Sequence, residues 1–402
     1  MHITASVRKF RRYIISTIVF VAFLAVYFRE SWYLSSGDRA INRMNLSMKQ
    51  PPSTDPDTSA RANAAIISLV RNSELDGMLS SMRQFESSFN ARYSYPWVFF
   101  NNEPFTDEFK ERTQAETSGQ CSYEIIPKEH WDVPDWIDQS RLDQAFKDMD
   151  ANWVKHGSQL SYHKMCRWFS GFFYRHPALD NFKYYWRVEP DVKFFCDIEY
   201  DVFRFMETNN KTYGFTINVY DDPKTLPNLW PTTTAFLDKH PNYLNSDNSL
   251  TWLTDSTSRP KHTEMANGYS TCHFWSNFEV GDLDFWRSPE YTSYFEWLDQ
   301  TGGFFYERWG DAPVHSVALG LFAANEQIHW FRDIGYQHSV FSNCPDSDKC
   351  HGCQKNKLTP LTYWLNGEDC RPGWFKQVCE SRQKTGSMDD ETEEMCRQAH
   401  GI

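Results

Sequence analysis

An uncharged apolar segment near the amino terminus constrains this chain more than any other feature. Residues 13–28 read YIISTIVFVAFLAVYF, and the twelve residues before them include four Lys or Arg. As a helix this segment is about 24 Å long, and residues 32–34 extend it toward a hydrocarbon core of about 30 Å. Because basic flanks stay on the cytoplasmic side, the sequence predicts a cytoplasmic tail at 1–12 and a transmembrane anchor at 13–34.

A cleaved signal peptide is the alternative interpretation of this segment. Ser35, Ser36 and Gly37 are small enough for a cleavage site, but Trp32 and Tyr33 approach it poorly, and the apolar run is longer than usual. Both interpretations export the remaining chain into the secretory pathway.

The exported part divides by composition. Residues 35–58 are rich in Ser, Asp, Pro and Arg and show no apolar period, which predicts a flexible stem. Residues 59–402 form the predicted lumenal domain. Sequons at Asn45 and Asn210 predict N-glycosylation in that compartment.

Cysteine usage follows from export. The chain has ten Cys, and an oxidising compartment favours disulfides. Cys350 and Cys353 form a lone CxxC without a second pair at zinc-finger spacing, so a disulfide role is favoured over zinc. The spacing does not determine which Cys pair with each other.

Composition limits the partners of the domain. The formal net charge is −12, so electrostatic repulsion disfavours binding to nucleic acid. Aromatic residues make up 17% of the chain, which is enough for a large core and also suits the flat faces of sugars. Motifs of P-loop enzymes, dinucleotide-binding dehydrogenases, serine hydrolases and zincins are absent from the sequence.

Alternating helix and strand patterns predict an α/β domain with a mixed sheet. Helical spacing runs from Ala60 to Phe89 and from Leu142 to Trp153, the latter with Ser140 as its predicted cap. Ser288-Pro289 predicts the start of a helix, and Asp311 is the predicted cap of another. Strand-like runs lie at 95–100, 123–126, 182–188, 213–219 and 328–334.

One of these strands ends in acidic residues. The segment 184–191 reads YYWRVEPD, so an apolar strand delivers Glu189 and Asp191 at its carboxyl end. Ligands of open α/β sheets bind at that edge. A transferase that uses nucleotide sugars needs an acid there to hold a divalent cation, which neutralises the diphosphate.

Seven ordered blocks between about Leu69 and Pro345 resemble the fungal GDP-mannose-dependent α-mannosyltransferases of glycosyltransferase family 15. The blocks are YPWVFFNNEPFTDEFK, IPKEHW, KMCRWFSGFFY, YYWRVEPDVKFFCDIEYDVF, CHFWSNFEVGDLDFWRSPEY, ERWGDAPVHS and IGYQH…NCP. The resemblance implies a GT-A-like fold preceded by a transmembrane helix, and GDP-mannose as donor. It also implies retention of the anomeric configuration and a divalent cation, usually Mn²⁺.

The resemblance also implies roles for individual residues. Glu189 and His338 match the family's metal-contacting residues, and Glu189 thereby contacts the donor. Glu279 matches a proposed nucleophile, which either attacks the anomeric carbon or stabilises the transition state during same-face attack by the acceptor. Asp311 matches a catalytic acid near the acceptor, and Tyr162 matches a donor-binding tyrosine. The family often has Gly where this chain has Asp191.

Arg92 is a further donor-binding candidate, placed from topology beside the turn at 101–105. The resulting prediction is a Golgi type II membrane enzyme that adds mannose, through α-1,2 linkages, to mannose on N- or O-linked glycans of glycoproteins. Two alternatives remain open: a transferase of the same scaffold with another donor or linkage, and an inactive lumenal glycan-binding protein.

Overall fold

The computed structural model describes residues 61–359, 362–386 and 396. The predicted tail, anchor and stem, with Asn45, lie outside these residues. Among the described residues, none of the helices combines the length and apolar character that crossing a bilayer would require.

A seven-stranded mixed sheet forms the centre of the domain. Its strands are β1 (Ala64–Leu69), β2 (Trp97–Asn101), β3 (Cys121–Ile125), β4 (Tyr184–Arg187), β6 (Tyr213–Phe215), β9 (Glu279–Asp282) and β10 (Ile328–Trp330). Their spatial order is β10-β6-β9-β4-β1-β2-β3, and β9 is antiparallel to the other six.

Two small antiparallel sheets accompany the central one. The first has the order β12-β11-β5 and the second pairs β7 with β8. Their strands are β5 (Lys193–Phe194), β7 (Asn218–Tyr220), β8 (Cys272–Phe274), β11 (Tyr336–His338) and β12 (Phe341–Asn343). The run at 213–219 therefore contributes to two sheets, β6 to the central one and β7 to the pair.

Helices cover both faces of the central sheet. The α-helices are Leu75–Ser88, Asp107–Ala115, Lys128–Trp131, Gln139–Ala151, Leu160–Gly171, Val202–Thr208, Leu229–Lys239, Leu250–Leu253, Pro260–Met265, Leu283–Trp286, Pro289–Thr301, Gly303–Tyr306, Asp311–Phe322 and Arg371–Thr385. Short 3₁₀ turns lie between them, including Asn72–Glu74 and Asn90–Arg92.

The sheet separates two hydrophobic layers because successive side chains of a strand point to opposite faces. Ile66 and Trp186 belong to the layer beneath the helix Leu75–Ser88. Ile67 and Tyr185, their neighbours in sequence, belong to the larger layer on the other face. The strands buried on both faces are almost continuously apolar, as expected for a mainly parallel sheet.

The helix predicted from Ala60 to Phe89 was wrong in its amino-terminal part, which forms a strand. Ala64–Leu69 is the buried central strand β1, and the helix begins only at Leu75. A short apolar run without polar interruptions fits a buried helix and a buried strand equally well, so periodicity cannot separate them.

Two predicted helix caps also differ from those that the structure shows. Asp138, not Ser140, caps the helix Gln139–Ala151, since its side chain accepts a hydrogen bond from the Arg141 amide. Asp311 is the first residue of its helix, Gly310 occupies the cap position, and the Asp311 carboxylate is bound elsewhere. Ser288 does cap the helix Pro289–Thr301, which ends at the left-handed Gly302.

Eight of the ten Cys are paired. The disulfides are Cys196–Cys350, Cys272–Cys370, Cys344–Cys353 and Cys379–Cys396, whereas Cys121 and Cys166 are free. The two Cys of the CxxC thus belong to different disulfides, which confirms their disulfide role.

Candidate active site

The acidic segment lies at the carboxyl edge of the central sheet. Strand β4 ends at Arg187, and Glu189 follows two residues later. Strand β9 runs antiparallel to β4, and its first residue, Glu279, pairs with Arg187. Two acids that are ninety positions apart in sequence therefore flank the same arginine.

Arg187 lies at the centre of this group. Its Nη1 atom is 2.6 Å from Asp311 Oδ2 and 3.8 Å from Glu279 Oε1, and its Nη2 atom is 2.5 Å from Glu189 Oε1. The guanidinium also lies 3.4 Å above the ring of Phe169. Burial disfavours the charged form of Arg187 and lowers its pKa. The neighbouring Glu189 and Asp311 outweigh this effect and raise the pKa above its ordinary value. We infer a permanently charged residue that holds three carboxylates.

Asp311 is a buried anion with two partners. Besides Arg187, the Ser276 hydroxyl donates to Asp311 Oδ2 at 2.7 Å. Burial alone would raise the pKa of Asp311, but the Arg187 guanidinium holds this pKa below its usual value. Asp311 is therefore ionised at neutral pH.

Glu279 is fully buried at the start of β9. Its Oε2 atom accepts a hydrogen bond from the Tyr213 hydroxyl at 3.2 Å and lies 3.1 Å from His315 Nδ1. Burial and the nearby Glu279 raise the pKa of Tyr213 well above its ordinary value, so the phenol remains a donor. Glu279 Oε1 is buried without a hydrogen-bond partner.

Glu189 and His338 come together although 149 positions separate them in sequence. His338 Nε2, at the end of β11, lies 3.5 Å from Glu189 Oε2, and both side chains are partly exposed. Trp275 packs edge-on against the imidazole at 5.0 Å. Burial lowers the pKa of His338, against the opposing effect of Glu189, which favours the neutral ring that metals require.

Asp191 lies near this pair, because its charge acts on His338, but its carboxylate packs elsewhere. Its carboxylate lies against Gly77, where a Cβ atom would come within 2.7 Å of Asp191 Oδ2. The φ angle of Asp191 is 58°, in the left-handed region that favours glycine and that Asp tolerates better than most residues. This conformation explains the glycine that the resembling family often has there.

Tyr162 lies beside a second buried ion pair. Its ring stacks on His156 at 4.4 Å, and the Arg308 guanidinium lies 5.6 Å from the ring centre. Arg308 in turn is 3.1 Å from Asp221. Burial raises the pKa of Tyr162 well above its ordinary value, so its hydroxyl stays protonated and able to donate.

The structure does not bring Arg92 to this group. Arg92 precedes β2, at the amino edge of the parallel strands, and donates to the Ile198 carbonyl at 2.8 Å. The topological placement of Arg92 at the carboxyl edge was wrong, because the helix Leu75–Ser88 returns the chain to the opposite edge before β2 begins. Asn210 is exposed in the turn after the helix Val202–Thr208, and its glycosylation stays a prediction.

Sequence reasoning missed Arg187, His315, Ser276 and Arg308. A signal existed for Arg187, since it is a charged residue at the end of an otherwise apolar strand and shares a strand face with Glu189. His315 and Ser276 lie in helix and loop segments whose patterns carry no such signal.

Comparison with known proteins places this site in a family. The family model described as Glycolipid 2-alpha-mannosyltransferase matches residues 34–378. The chain belongs to this family. It is accordingly a glycosyltransferase, which confirms the predicted enzyme class.

Several members of the family are close relatives. Probable mannosyltransferase KTR4 of Saccharomyces cerevisiae is 46% identical over 331 residues, which are 81% of this chain and 71% of that protein. The O-glycoside alpha-1,2-mannosyltransferase omh1 of Schizosaccharomyces pombe is 40% identical over 374 residues, 90% of this chain and 93% of that protein.

Solved structures confirm the GT-A-like mixed α/β fold. Core-mannan synthase A from Aspergillus fumigatus, in its Mn/GDP form, is 55% identical with a TM-score of 0.81 and covers 83% of this chain and 93% of its own. Ktr4p of S. cerevisiae in complex with GDP is 42% identical with a TM-score of 0.82. The match covers 91% of this chain and 93% of Ktr4p.

Proposed function

We propose that this chain transfers mannose from GDP-mannose to a mannose residue of a protein-linked glycan, with retention of the anomeric configuration and formation of an α-1,2 linkage. The observation that carries the proposal is the meeting of Glu189 and His338 at the carboxyl edge of the sheet, 3.5 Å apart. Relatives described as alpha-1,2-mannosyltransferases, and the Mn/GDP form of core-mannan synthase A, support the reaction and the donor.

The Glu189–His338 pair fits a divalent cation such as Mn²⁺. A carboxylate oxygen and an imidazole nitrogen are both good ligands for this ion, and adjacent ligands of an octahedral shell lie about 3 Å apart. Among the described residues no group of three or more His, Cys, Asp or Glu is arranged for a metal. The protein would thus supply two ligands, and the diphosphate and water the others. The bound cation would neutralise the leaving diphosphate.

Positive charge develops at the anomeric carbon as the mannosyl group leaves. Because Glu279 is fully buried, with Arg187 3.8 Å from its carboxylate, its burial favours the second of the two mechanisms, in which the acceptor attacks from the same face. Glu279 and Asp311 would then stabilise the developing charge, and Asp311 would orient the acceptor hydroxyl.

The loop after β1 offers a cation for the diphosphate. Arg71 follows the end of β1 by two residues, at the carboxyl edge, and 66% of its side chain is exposed. Within the described part of the chain its ion-pair contact is with Glu74, at 4.0 Å. An exposed guanidinium suits bidentate recognition of phosphate. We assign Arg71 the role that the topology had suggested for Arg92.

The acceptor glycan is larger than one sugar and needs an extended surface. A groove of about 610 Å³ runs along the helix Gln139–Ala151, with Met265 and Glu307 on its other side. Two of its lining residues are close in sequence to the group around Tyr162: Glu307 precedes Arg308, and Val154 lies two residues before His156, which stacks on Tyr162. We place the distal part of the acceptor in this groove.

The proposed location is the Golgi membrane, with the domain in the lumen behind an anchor at 13–34. Four disulfides agree with an oxidising compartment. A protease-protection assay on sealed microsomes would test the topology, and digestion of the domain by protease added outside would contradict it.

The reaction is tested with the full-length chain in detergent, GDP-mannose, Mn²⁺ and methyl α-mannoside. We expect one added mannose, α-1,2-linked by NMR, and loss of product when the metal is chelated. Transfer from another nucleotide sugar in preference to GDP-mannose, or hydrolysis without nucleotide, would contradict the proposal.

A further inference from the structure

His315 contacts Glu279 through one ring nitrogen and the main chain through the other. Nδ1 lies 3.1 Å from Glu279 Oε2, and Nε2 lies 3.0 Å from the carbonyl oxygen of Phe169. His315 and Glu279 are both completely buried. No solvent is therefore available to replace a missing hydrogen bond between them.

Counting donors determines how many protons this pair must hold. A carbonyl oxygen only accepts, so Nε2 of His315 has to carry a proton. Nδ1 of a neutral ring would then present a lone pair to a carboxylate, which also only accepts when ionised. The 3.1 Å contact therefore requires one further proton, either on Nδ1 or on Glu279.

The surroundings of Glu279 favour its ionised form. From β4, Arg187 places a cation 3.8 Å from Oε1, and from β6 the Tyr213 hydroxyl donates to Oε2 at 3.2 Å. Tyr185, also on β4, lies near the carboxylate as a neutral phenol. Asp311 shares the helix of His315, but its charge is already paired with Arg187 at 2.6 Å.

The surroundings of the imidazole suit a cation. Trp286 lies against it with ring centres 4.3 Å apart and planes inclined by 35°. Phe173 and Tyr291 approach at 6.1 Å each, and the Tyr291 hydroxyl is engaged with the Ser170 carbonyl. Aromatic faces attract a cation by their quadrupole, most strongly where water is excluded.

We propose that His315 is a buried imidazolium that acts as a positioning residue for Glu279, keeping that carboxylate ionised and fixed beside Arg187. The inference rests on the proposed function. It assigns the additional proton to His315 Nδ1 rather than to Glu279. An ionised Glu279 stabilises the positive charge that develops at the anomeric carbon, whereas a protonated one would not.

Infrared difference spectroscopy tests the position of the proton without any turnover. The full-length chain is compared with its Glu279→Gln variant at neutral pH, in detergent and with GDP and Mn²⁺ present. We expect the variant to lose the bands of an ionised carboxylate. Loss of a protonated carboxylic acid C=O band instead would overturn the assignment.

Two substitutions separate positioning from simple packing. The amide of His315→Asn can place a neutral donor near the Nδ1 position, and the longer His315→Gln can place one near Nε2. We expect His315→Asn to lower kcat by roughly tenfold and His315→Gln by roughly a hundredfold, each with the KM for GDP-mannose within about twofold.

The order of the two variants decides between the interpretations. A merely structural histidine would be better replaced by Gln, which keeps the bond to Phe169, and activity would then follow thermal stability. That result, or an equal loss of GDP affinity in both variants, would contradict the positioning role. Because these tests compare variants with an active parent, a parent that transfers no mannose would instead contradict the proposed function.

Discussion

At the scale of single residues, one buried guanidinium organises several acids. Arg187 contacts Asp311 and Glu189 directly and lies within 3.8 Å of Glu279. One cation among three carboxylates offsets their mutual repulsion. The arrangement gathers acids of different proposed roles, metal binding by Glu189 and charge stabilisation by Glu279, around one guanidinium.

Replacing Arg187 should be costly. Arg187→Met removes the cation but roughly keeps the volume, so the buried Asp311 carboxylate loses its cationic partner. We expect about 3–5 kcal/mol of destabilisation in urea unfolding. The matched control is Arg204→Met, an exposed residue whose pair with Glu207 is also exposed and should contribute under about 1 kcal/mol. Similar effects of the two substitutions would contradict the central role of Arg187.

Glu189 and Asp191 give a second residue-scale prediction. Glu189→Ala should raise the Mn²⁺ concentration needed for half-maximal activity at least tenfold, because a ligand is lost. Asp191→Asn is the control, since its side chain lies against Gly77 and Asn tolerates the left-handed conformation. We expect its metal titration to match the parent. An unchanged titration in Glu189→Ala would remove Glu189 from the metal site.

Two arginines at opposite edges of the sheet give a third prediction with a matched control. Arg71→Ala should raise the KM for GDP-mannose about tenfold, because a phosphate-binding charge is lost at the carboxyl edge. Arg92→Ala, at the amino edge, should leave that KM within about twofold. Initial rates at varied donor concentration measure both values, and a larger effect from Arg92 would reverse our assignment.

At the scale of elements, the reversed strand β9 determines the shape of the site. Because it runs against β4, its first residue lies at the edge where β4 ends, so Glu279 pairs with Arg187. A parallel strand would deliver its last residue there instead. The helix Asp311–Phe322 then brings Asp311 and His315 to the same edge, one turn apart.

Close packing between helices gives a prediction at this scale. A Cβ atom at Gly171, the last residue of the helix Leu160–Gly171, would come within 1.9 Å of the Phe295 ring. We expect Gly171→Ala to destabilise the domain by about 1–3 kcal/mol. Gly373 lies inside a helix, and the nearest atom to its added Cβ would be 3.8 Å away. Gly373→Ala should therefore stabilise the domain by up to about 1 kcal/mol. Thermal unfolding of both variants measures the two effects.

At the scale of the whole molecule, the groove beside the site should select for acceptor length. Ala145→Trp fills the groove from the helix Gln139–Ala151. We expect at least a tenfold higher KM for a mannose oligosaccharide and little change for methyl α-mannoside, because only the longer acceptor needs the groove. Lys147→Trp, an exposed position on the same helix that does not line the groove, is the control. Equal effects on both acceptors would exclude this groove as their path.

The sequence by itself determined the class of fold and the family, and it supplied most of the candidate site residues. These depend on features that are local in the chain: apolar runs of strand length, acids directly after a strand, and ordered blocks such as YYWRVEPD and IGYQH. The resemblance carried Glu189, His338, Glu279 and Asp311, and the structure brings them to one edge.

Only the tertiary structure decided which groups meet. The direction of β9, the partners of Arg187, the contact between His315 and Glu279, and the disulfide pairing all join segments far apart in sequence. Hydrophobic periodicity reports the burial of a side chain but not the identity of its neighbours. For the same reason β1 was predicted as part of a helix, and Arg92 was placed at the wrong edge of the sheet. The edge at which a residue lies is a property of the assembled sheet.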